Sequence, residues 1–375
     1  MNRFASVLAI AAAVLSLAAC GQPQAASQPP ASSQPSSAGG STTAGQASTW
    51  SQVEAAANKE GSLTVYALNT IPPDQVSRFQ AVWTKAYPNI KVELTAGLQP
   101  PDVVAKVTAE QDAKAYTGDV AQLGGTTGRQ LERLGELDPF IPPAVQDASV
   151  KWRIDPVQDQ AHKGALLAGT LGYVPIWVNT KLVKPGDEPK TRLDLTDPKW
   201  KGKILWLAPW TAGFGWNEYY LAKKQYGQAW VTKMQGQNVT FGSNSNDGIN
   251  QIARGEYAIG LSYIGGALAT RLIQDGQPLK AVWPDDFVYG SANGFSVLKG
   301  APHPNAAKVF VNWWFTDAGQ RFYADLGQFP NRADIPGKEG WMKGFDHAKE
   351  FWWAKAADDA LAAPNQKEAA SYFKK

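Results

Sequence analysis

Cysteine, histidine and methionine are scarce in this chain of 375 residues, which contains one cysteine, three histidines and three methionines. A single cysteine excludes an internal disulfide framework, so stability has to come from a large apolar core. The histidines, His162, His303 and His347, are scattered without the spacing of a metal site. We therefore predict no resident metal and no cofactor.

An excess of one charge is lacking as well, because 36 Lys and Arg residues face 33 Asp and Glu residues, a formal net charge of +3. No basic block or acidic tail is present, so we predict that nucleic acid is not a partner. Two common hydrolase motifs, Gly-x-Ser-x-Gly and His-Glu-x-x-His, do not occur. We predict no catalytic residues and a protein that is not an enzyme, and keep an exported enzyme as an alternative.

Residues 1–19 have the pattern of a signal peptide. Arg3 supplies a positive charge, and the apolar run at residues 7–17 is shorter than the roughly 20 residues that span a bilayer. The run ends in small residues directly before Cys20, which is the pattern of a lipoprotein. We predict that Cys20 is lipidated and that the protein is exported. The lipid would anchor it to the cell envelope, either in the periplasm or on the outer face of the plasma membrane.

Residues 21–48 contain no aromatic residue, no charged residue and no large aliphatic residue. Such a segment buries too little apolar surface to offset its ordering entropy. We therefore predict that residues 20–48 are a disordered linker between the lipid and the folded part.

After the linker, short apolar runs alternate with amphipathic segments of helical period. Strands are predicted at 63–67, 90–94, 119–123, 204–208, 239–241 and 257–263. Helices are predicted between them, so the rhythm indicates two open α/β sheets with parallel strands.

Two apolar stretches are predicted to connect these sheets, at 164–180 and again at 279–298. We predict that lobe 1 comprises residues 49–168 plus 285–375 and that lobe 2 comprises residues 169–284. Ligands of open α/β sheets bind beyond the carboxyl ends of the strands. Two facing sheets would leave a cleft that hinge motion closes on a ligand.

Seven segments spread through this part of the chain carry a family resemblance. They are LTVY at 63–66, YPNIKV at 87–92, VNTKLV at 178–183, LTDPKWKGK at 195–203, GEYAIG at 255–260, APHPNAAK at 301–308 and WWFTDAGQ at 313–320. In this order the chain resembles the extracellular solute-binding lipoproteins of ABC importers. The resembling branch includes binders of ferric iron, polyamines, thiamine, and phosphonates or sugar phosphates.

The resemblance implies a two-lobed periplasmic-binding fold of type II and a protein that captures a small solute. It also implies ABC permease subunits in the membrane and a cytoplasmic ATPase as partners, and we expect the protein itself to be a monomer. A ligand-sensing or adhesive lipoprotein with the same fold remains open.

Loops at the predicted rims of the two sheets supply the candidate ligand-binding residues. They are Tyr66, Asn69, Thr70, Gly124, Gly125, Thr126, Trp210, Thr211, Gly213, Ser243, Asn244, Ser245, Tyr263 and Tyr289. Helix N-termini beside Gly, Ser and Thr favour anions, because free N–H groups and the helix dipole both point there. The same side chains are also ordinary N-caps, and both roles remain open.

The expected ligand is a small organic molecule that is anionic or zwitterionic, and ferric iron is the alternative. The resemblance implies that ferric-binding relatives carry two adjacent tyrosines near Tyr263, but Ile264 follows here. Tyr219 and Tyr220 are adjacent, yet they lie inside a predicted helix and point to different sides. Trp210, Trp216 and Trp177 are candidates for stacking on a planar or cationic group. Asp285 and Asp286 are either partners of an ammonium group or solvated turn residues.

Overall fold

The computed structural model describes residues 44–68, 71, 75–158, 164–211, 214–338, 340–344, 350–353 and 359–374. The predicted signal peptide, Cys20 and the linker as far as residue 43 lie outside these residues. Helix α1 (Ala44–Glu60) begins inside the predicted linker, so residues 44–48 are helical where the sequence indicated disorder. Once a helix is anchored by packing, further residues join it at low cost. Here the anchor is Trp50, whose ring stacks on Phe140 with 6.2 Å between centroids.

The other helices are α2 (Val76–Ala86), α3 (Pro100–Ala113), α4 (Gly125–Leu134), α5 (Pro143–Gln146), α6 (Gly215–Gln235), α7 (Ser245–Arg254), α8 (Gly266–Gln274), α9 (Pro304–Phe315), α10 (Asp317–Asp325) and α11 (Asp359–Phe373). The strands are β1 (Ser62–Leu68), β2 (Lys91–Leu98), β3 (Val120–Gly124), β4 (Leu137–Asp138), β5 (Thr170–Val174), β6 (Ile176–Asn179), β7 (Ile204–Leu207), β8 (Thr240–Gly242), β9 (Ile259–Leu261), β10 (Leu279–Val282), β11 (Phe287–Leu298), β12 (Phe329–Pro330) and β13 (Glu350–Trp353). Short 3-10 helices lie at Asp194–Thr196, Pro198–Trp200 and Gly340–Met342. Within the described part of the chain, no helix is both long and apolar enough to cross a membrane.

The first sheet has the order β12-β5-β11-β3-β1-β2, and β4 and β13 also pair with β11. Strand β1 runs parallel to β2 and β3, as the sequence rhythm predicts. Strands that are covered on both faces are buried without alternation, and β1 is buried in this way from Val65 to Leu68. Helix α9 packs against this sheet and carries Trp313 and Trp314, which enclose Phe79 of α2. Much of the aromatic content therefore builds this core.

The second sheet has the order β10-β6-β9-β7-β8, with β7 parallel to β8 and β9. Its core is separate from that of the first sheet and centres on Trp206 and Trp230, whose rings meet edge to face at 5.9 Å. The sequence predicts two helices where the structure has α6. This helix is interrupted at Gly227, whose φ of 70° and ψ of −171° are not helical, and only glycine adopts this geometry without strain.

The chain passes between the sheets twice, from β5 to β6 and from β10 back to β11. Both passages fall within the predicted stretches, 164–180 and 279–298, so the two-sheet fold with two crossings is confirmed. The first change of sheet comes after Val174, which is later than the predicted lobe boundary at 168. Helix α11, which the sequence placed in lobe 1, packs on α6 and inserts Phe373 into the second core. This contact joins distant parts of the chain, so local patterning does not reveal it.

Candidate functional site

A cavity of about 140 Å³ lies between the two sheets, where the first turns of α4 and α6 face each other across β11. Its lining is Leu123, Gly124, Gly125, Thr126, Arg129, Gln158, Leu166, Leu167, Phe214, Trp216, Asn217, Gly290, Ser291, Ala292 and Ser296. The residues from Leu123 to Leu167 in this list belong to the first lobe. Phe214, Trp216 and Asn217 belong to the second. The remaining four come from the strand that follows the return crossing.

The wall from the first lobe is the start of α4. Strand β3 ends at Gly124, and α4 begins at the next residue with Gly124 as its N-cap. Gly124, being a glycine, supplies no side-chain cap to this helix end. The hydroxyl of Thr127 donates to the Gly124 carbonyl oxygen at 3.3 Å instead of accepting from a backbone N–H. First-turn N–H groups, which have no partner within a helix, are therefore presented at the cavity.

Arg129 brings a positive charge to the same helix end. Its guanidinium Nη1 lies 2.8 Å from the position that a Cβ atom on Gly125 would occupy, so only glycine leaves it this place. The side chain lines the cavity although the residue is only 7% exposed. An anion bound here would be attracted both by this guanidinium and by the positive end of the helix dipole.

The opposite wall is the start of α6, which again has no side-chain cap at Phe214. The helix begins in close contact with the end of β7, and only glycine fits at position 215. A Cβ atom there would lie 2.2 Å from the carbonyl oxygen of Leu207. Asn217, in the same first turn, lines the cavity and is 5% exposed. The cavity therefore has an uncapped helix N-terminus on both sides.

A buried ion cluster holds the start of α6 in place. Arg192 donates from Nε to Glu218 Oε1 and from Nη1 to Asp286 Oδ1, each at 3.0 Å, and all three side chains are buried. Burial alone would lower the pKa of Arg192, but the two carboxylates hold it above its usual value. Glu218 is thus neutralised by Arg192 rather than by a solute. Asp286 is neither the solvated turn residue nor the ammonium partner considered from the sequence.

The strand floor of the cavity contributes hydroxyl groups. Ser291 lies beside Gly290 and Ala292, where small side chains leave room for a solute. Ser296 also lines the cavity, is 1% exposed, and its Oγ has no hydrogen-bond partner within the described residues. Buried hydroxyls are nearly always paired, so this oxygen is a candidate contact for a ligand.

Of the residues predicted to bind ligand, the structure brings Gly124, Gly125 and Thr126 together at the cavity. Asn69, Thr70 and Gly213 lie outside the described residues. The cavity lining does not include Tyr66, Trp210, Thr211, Ser243, Asn244, Ser245, Tyr263 or Tyr289.

Three of these residues have evident roles in packing or capping. Tyr66 donates to Glu110 Oε1 at 2.5 Å, and Asn244 caps α7 by accepting from Asn246 N and Asp247 N. The ring of Trp210 packs against Phe241 at 4.7 Å.

Tyr263 and Tyr289, two of the tyrosines predicted to bind ligand, are fully buried. Tyr263 is buried in a separate cluster with Ile249 and Ile252 of α7, and burial raises its pKa. Tyr289 Oη is 3.0 Å from Ser262 Oγ. Burial also raises the pKa of Tyr289, so neither phenol is poised to ionise.

Four polar residues of the cavity lining were not predicted from the sequence, namely Arg129, Asn217, Ser291 and Ser296. A helical signal was available for Arg129, because residues four apart share a helix face and Gly125 was already a candidate. For Ser291 and Ser296 no local signal exists, since their place in the cavity depends on the pairing of β11 with β3 and β5. Among the described residues, no group of three or more His, Cys, Asp or Glu side chains is arranged to hold a metal ion.

Residues 75–345 match the family profile of bacterial extracellular solute-binding proteins. The chain belongs to this family, so the predicted class of protein and its export are confirmed. An uncharacterised protein of Haemophilus influenzae is 30% identical over 285 residues, which cover 72% of this chain and 77% of that protein.

Solved structures of periplasmic binding proteins share the fold, which confirms the predicted type II architecture. AfuA of Actinobacillus pleuropneumoniae, solved with fructose-6-phosphate, has 22% identity and a TM-score of 0.63, covering 84% of this chain and 99% of AfuA. Iron-bound HitA of Pseudomonas aeruginosa has 19% identity and a TM-score of 0.63, covering 82% of this chain and 99% of HitA.

Proposed function

We propose that this protein captures a small organic anion or zwitterion in the cavity and delivers it to the permease of an ABC importer. The observation that carries the proposal is the guanidinium of Arg129 at the uncapped start of α4. An anion there would accept hydrogen bonds from backbone N–H groups and from a cation, and charge-assisted bonds are the strongest of their kind.

The charges around the cavity favour an anion over a cation. Arg129 is the one charged side chain in the described lining. The nearest carboxylate of α6, Glu218, is directed to Arg192. With the N-terminus of α6 on the other side, the solute would meet positive potential from both lobes. The hydroxyls of Thr126, Ser291 and Ser296 complete a set of donors suited to phosphate, phosphonate or carboxylate oxygens.

The size and the apolar lining indicate what else the solute carries. A cavity of about 140 Å³ is smaller than the roughly 300–1,000 Å³ of sites for drug-sized ligands, so the solute is small. Phe214 and Trp216 offer ring surface for a flat or aliphatic portion of the molecule. The phosphorylated sugar in AfuA has the anionic group that this arrangement would bind.

The test is calorimetric titration of the purified protein with inorganic phosphate, fructose 6-phosphate, 2-aminoethylphosphonate and ferric citrate. We expect an organic anion to bind and Arg129→Gln to weaken it about tenfold or more, because a hydrogen bond to a charged group is lost. The matched control is Arg133→Gln, an exposed arginine one turn further along α4. Binding of ferric ion with no response to any organic anion would favour the iron alternative. Chemical conversion of a bound solute would favour the exported enzyme.

A lipid anchor would keep the protein close to the permease. We propose that Cys20 carries the lipid, that residues before it are removed, and that the anchored protein acts as a monomer. The support is the small-residue run ending at Cys20, together with membership of an exported family. Labelled palmitate should enter the wild-type protein and not Cys20→Ser, and the variant should be released into the soluble envelope fraction. Labelling of Cys20→Ser would contradict the proposal.

A further inference from the structure

The two described C-terminal elements, β13 and α11, lie beyond residue 345, where the match to the solute-binding family ends. We call them together the C-terminal brace. Strand β13 pairs in parallel with the first residues of β11, from Phe287 opposite Glu350 to Gly290 opposite Trp353. Gly290 lines the cavity, so the brace joins the sheet at the edge of the solute site.

The pairing brings an aromatic side chain of the brace against the cavity wall. The ring of Trp352 meets that of Trp216 edge to face, with 6.0 Å between centroids and an interplanar angle of 89°. It also contacts Tyr220 one turn further along α6, at 6.4 Å. Trp216 is 8% exposed and lines the cavity, so Trp352 supports it from behind.

Helix α11 holds the other side of the same wall. Gln366 Nε2 donates to the carbonyl oxygen of Thr211, in the loop that leads into α6, at 2.9 Å. Lys223 of α6 forms an ion pair with Glu368, and Phe373 packs on Trp206 with 5.4 Å between centroids. The brace thus contacts the loop before α6, its first turns and the sheet behind it.

We propose that the C-terminal brace is a positioning part of the solute site, in which Trp352 sets the orientation of Trp216 and Gln366 fixes the loop before α6. The brace lies outside the residues that match the family profile, so the profile does not account for its contacts with the site. Trp352 does not touch the cavity itself and acts through Trp216. The consequence for solute binding rests on the proposed function, whereas the positioning of Trp216 does not.

The first experiment needs no ligand. The full chain is labelled with 5-fluorotryptophan, and the ¹⁹F resonance of Trp216 is the one that disappears in Trp216→Phe. We expect Trp352→Leu to shift and broaden this resonance, because the neighbouring ring that orients the indole is gone. Trp50→Leu, which removes a partly buried tryptophan stacked on Phe140, should leave it unchanged. An unchanged Trp216 resonance in folded Trp352→Leu would overturn the proposal.

The second experiment measures binding of fructose 6-phosphate by calorimetry. Trp352→Leu should raise the dissociation constant about tenfold, the upper range for the loss of one aromatic pair, with Trp352→Phe close to wild type. Gln366→Ala should weaken binding less than Trp352→Leu, and Trp50→Leu should not weaken it. Equal affinity for Trp352→Leu and wild type would overturn the specificity role. If wild type binds none of the organic anions, the proposed function fails and the fluorine experiment still decides the positioning of Trp216.

Discussion

At the scale of single residues, the cavity contains polar atoms that the folded chain itself leaves unused. Ser296 Oγ is buried without a partner among the described residues, although hydroxyls in such positions are usually paired. Ser296 and its two neighbours on β11 are held by strand pairing with β3. The hydroxyl is therefore a probe of solute binding that can be removed at little cost to the fold.

We predict that Ser296→Ala leaves the free energy of unfolding within about 0.5 kcal/mol of wild type, because no protein hydrogen bond is lost. Affinity for the bound anion should fall by up to about tenfold, since one donor to the solute disappears. Urea unfolding and calorimetric titration measure the two effects. A clear loss of stability would show that the hydroxyl serves the fold instead.

The buried ion cluster of Arg192, Glu218 and Asp286 contributes to stability, in contrast to the Ser296 hydroxyl. Glu218→Gln weakens a charge-assisted hydrogen bond to the fully buried guanidinium of Arg192 and leaves Asp286 as its ion partner. We expect a loss of about 1.5–3 kcal/mol, the range for hydrogen bonds to charged groups. The control is Asp317→Asn, which breaks an exposed pair with Arg321 and should cost about 0–1 kcal/mol. Urea unfolding of both variants tests the difference. Similar losses would mean that water reaches the cluster.

The individual site residues were only partly predictable. Gly124 to Thr126 were found because a glycine-rich turn between a strand and a helix is a local pattern that marks an anion site. Tyr263 was proposed as a ligand contact because it follows the end of a strand. In the structure α7 covers it. The position of a helix over a strand end depends on tertiary packing and cannot be read from the local sequence. Ser296 lies mid-strand, where only strand order shows which side chains reach the cavity.

At the scale of elements, the turn after α3 depends on one carboxylate. Glu110 accepts hydrogen bonds from Thr117 Oγ1 at 2.6 Å, from Tyr66 Oη, and from the backbone N–H groups of Thr117 and Gly118. Burial alone would raise its pKa, but these bonds lower the pKa of Glu110 from 4.5 to about 2. They hold the turn that leads into β3, in which Lys114 adopts a left-handed φ of 52°.

The pH dependence of this turn has a definite sign. The folded-state pKa of Glu110 is depressed, so its contribution to stability is complete above pH 4.5 and is lost as the pH falls toward about 2. Glu110→Gln should therefore be less stable than wild type near neutral pH, with the difference shrinking below pH 4.5. Urea unfolding between pH 2 and 7 measures it. A difference independent of pH would contradict the assignment.

The solute site also depends on the position of the first turn of α6, which lines the cavity. Gly215→Ala would put a Cβ atom 2.2 Å from the Leu207 carbonyl oxygen, so the backbone has to move. We predict weaker solute binding than for Gly340→Ala, where a Cβ atom meets nothing within 4 Å. Circular dichroism and calorimetry on both variants separate loss of fold from loss of site. Full affinity in Gly215→Ala would show that the first turn of α6 does not contact the solute.

At the scale of the whole molecule, the two sheets were predictable because parallel strands alternating with helices form a local, repeated pattern. The assignment of α11 to lobe 1 followed chain order, whereas its packing on α6 comes from contacts such as Phe373 with Tyr219, far apart in sequence. The same long-range contacts determine how the halves move. Arg192, in the second lobe, bonds Asp286 and the Phe287 carbonyl oxygen, so the first residue of β11 is tied to that lobe.

This tie implies that bending takes place beyond Phe287, where β11 carries the small residues Gly290, Ser291 and Ala292 beside the cavity. An anion bound between the starts of α4 and α6 would attract both helix ends and draw the lobes together. With spin labels at Gln130→Cys and Lys224→Cys in a Cys20→Ser background, we predict that saturating solute shortens the mean distance between labels. The change should be on the order of a few Å, as in hinge closure. It should be smaller in the additional variant Arg129→Gln at saturating solute, because one of the two attractions is missing. An unchanged distance in the parent protein, with calorimetry showing full occupancy, would mean that the solute binds without closure.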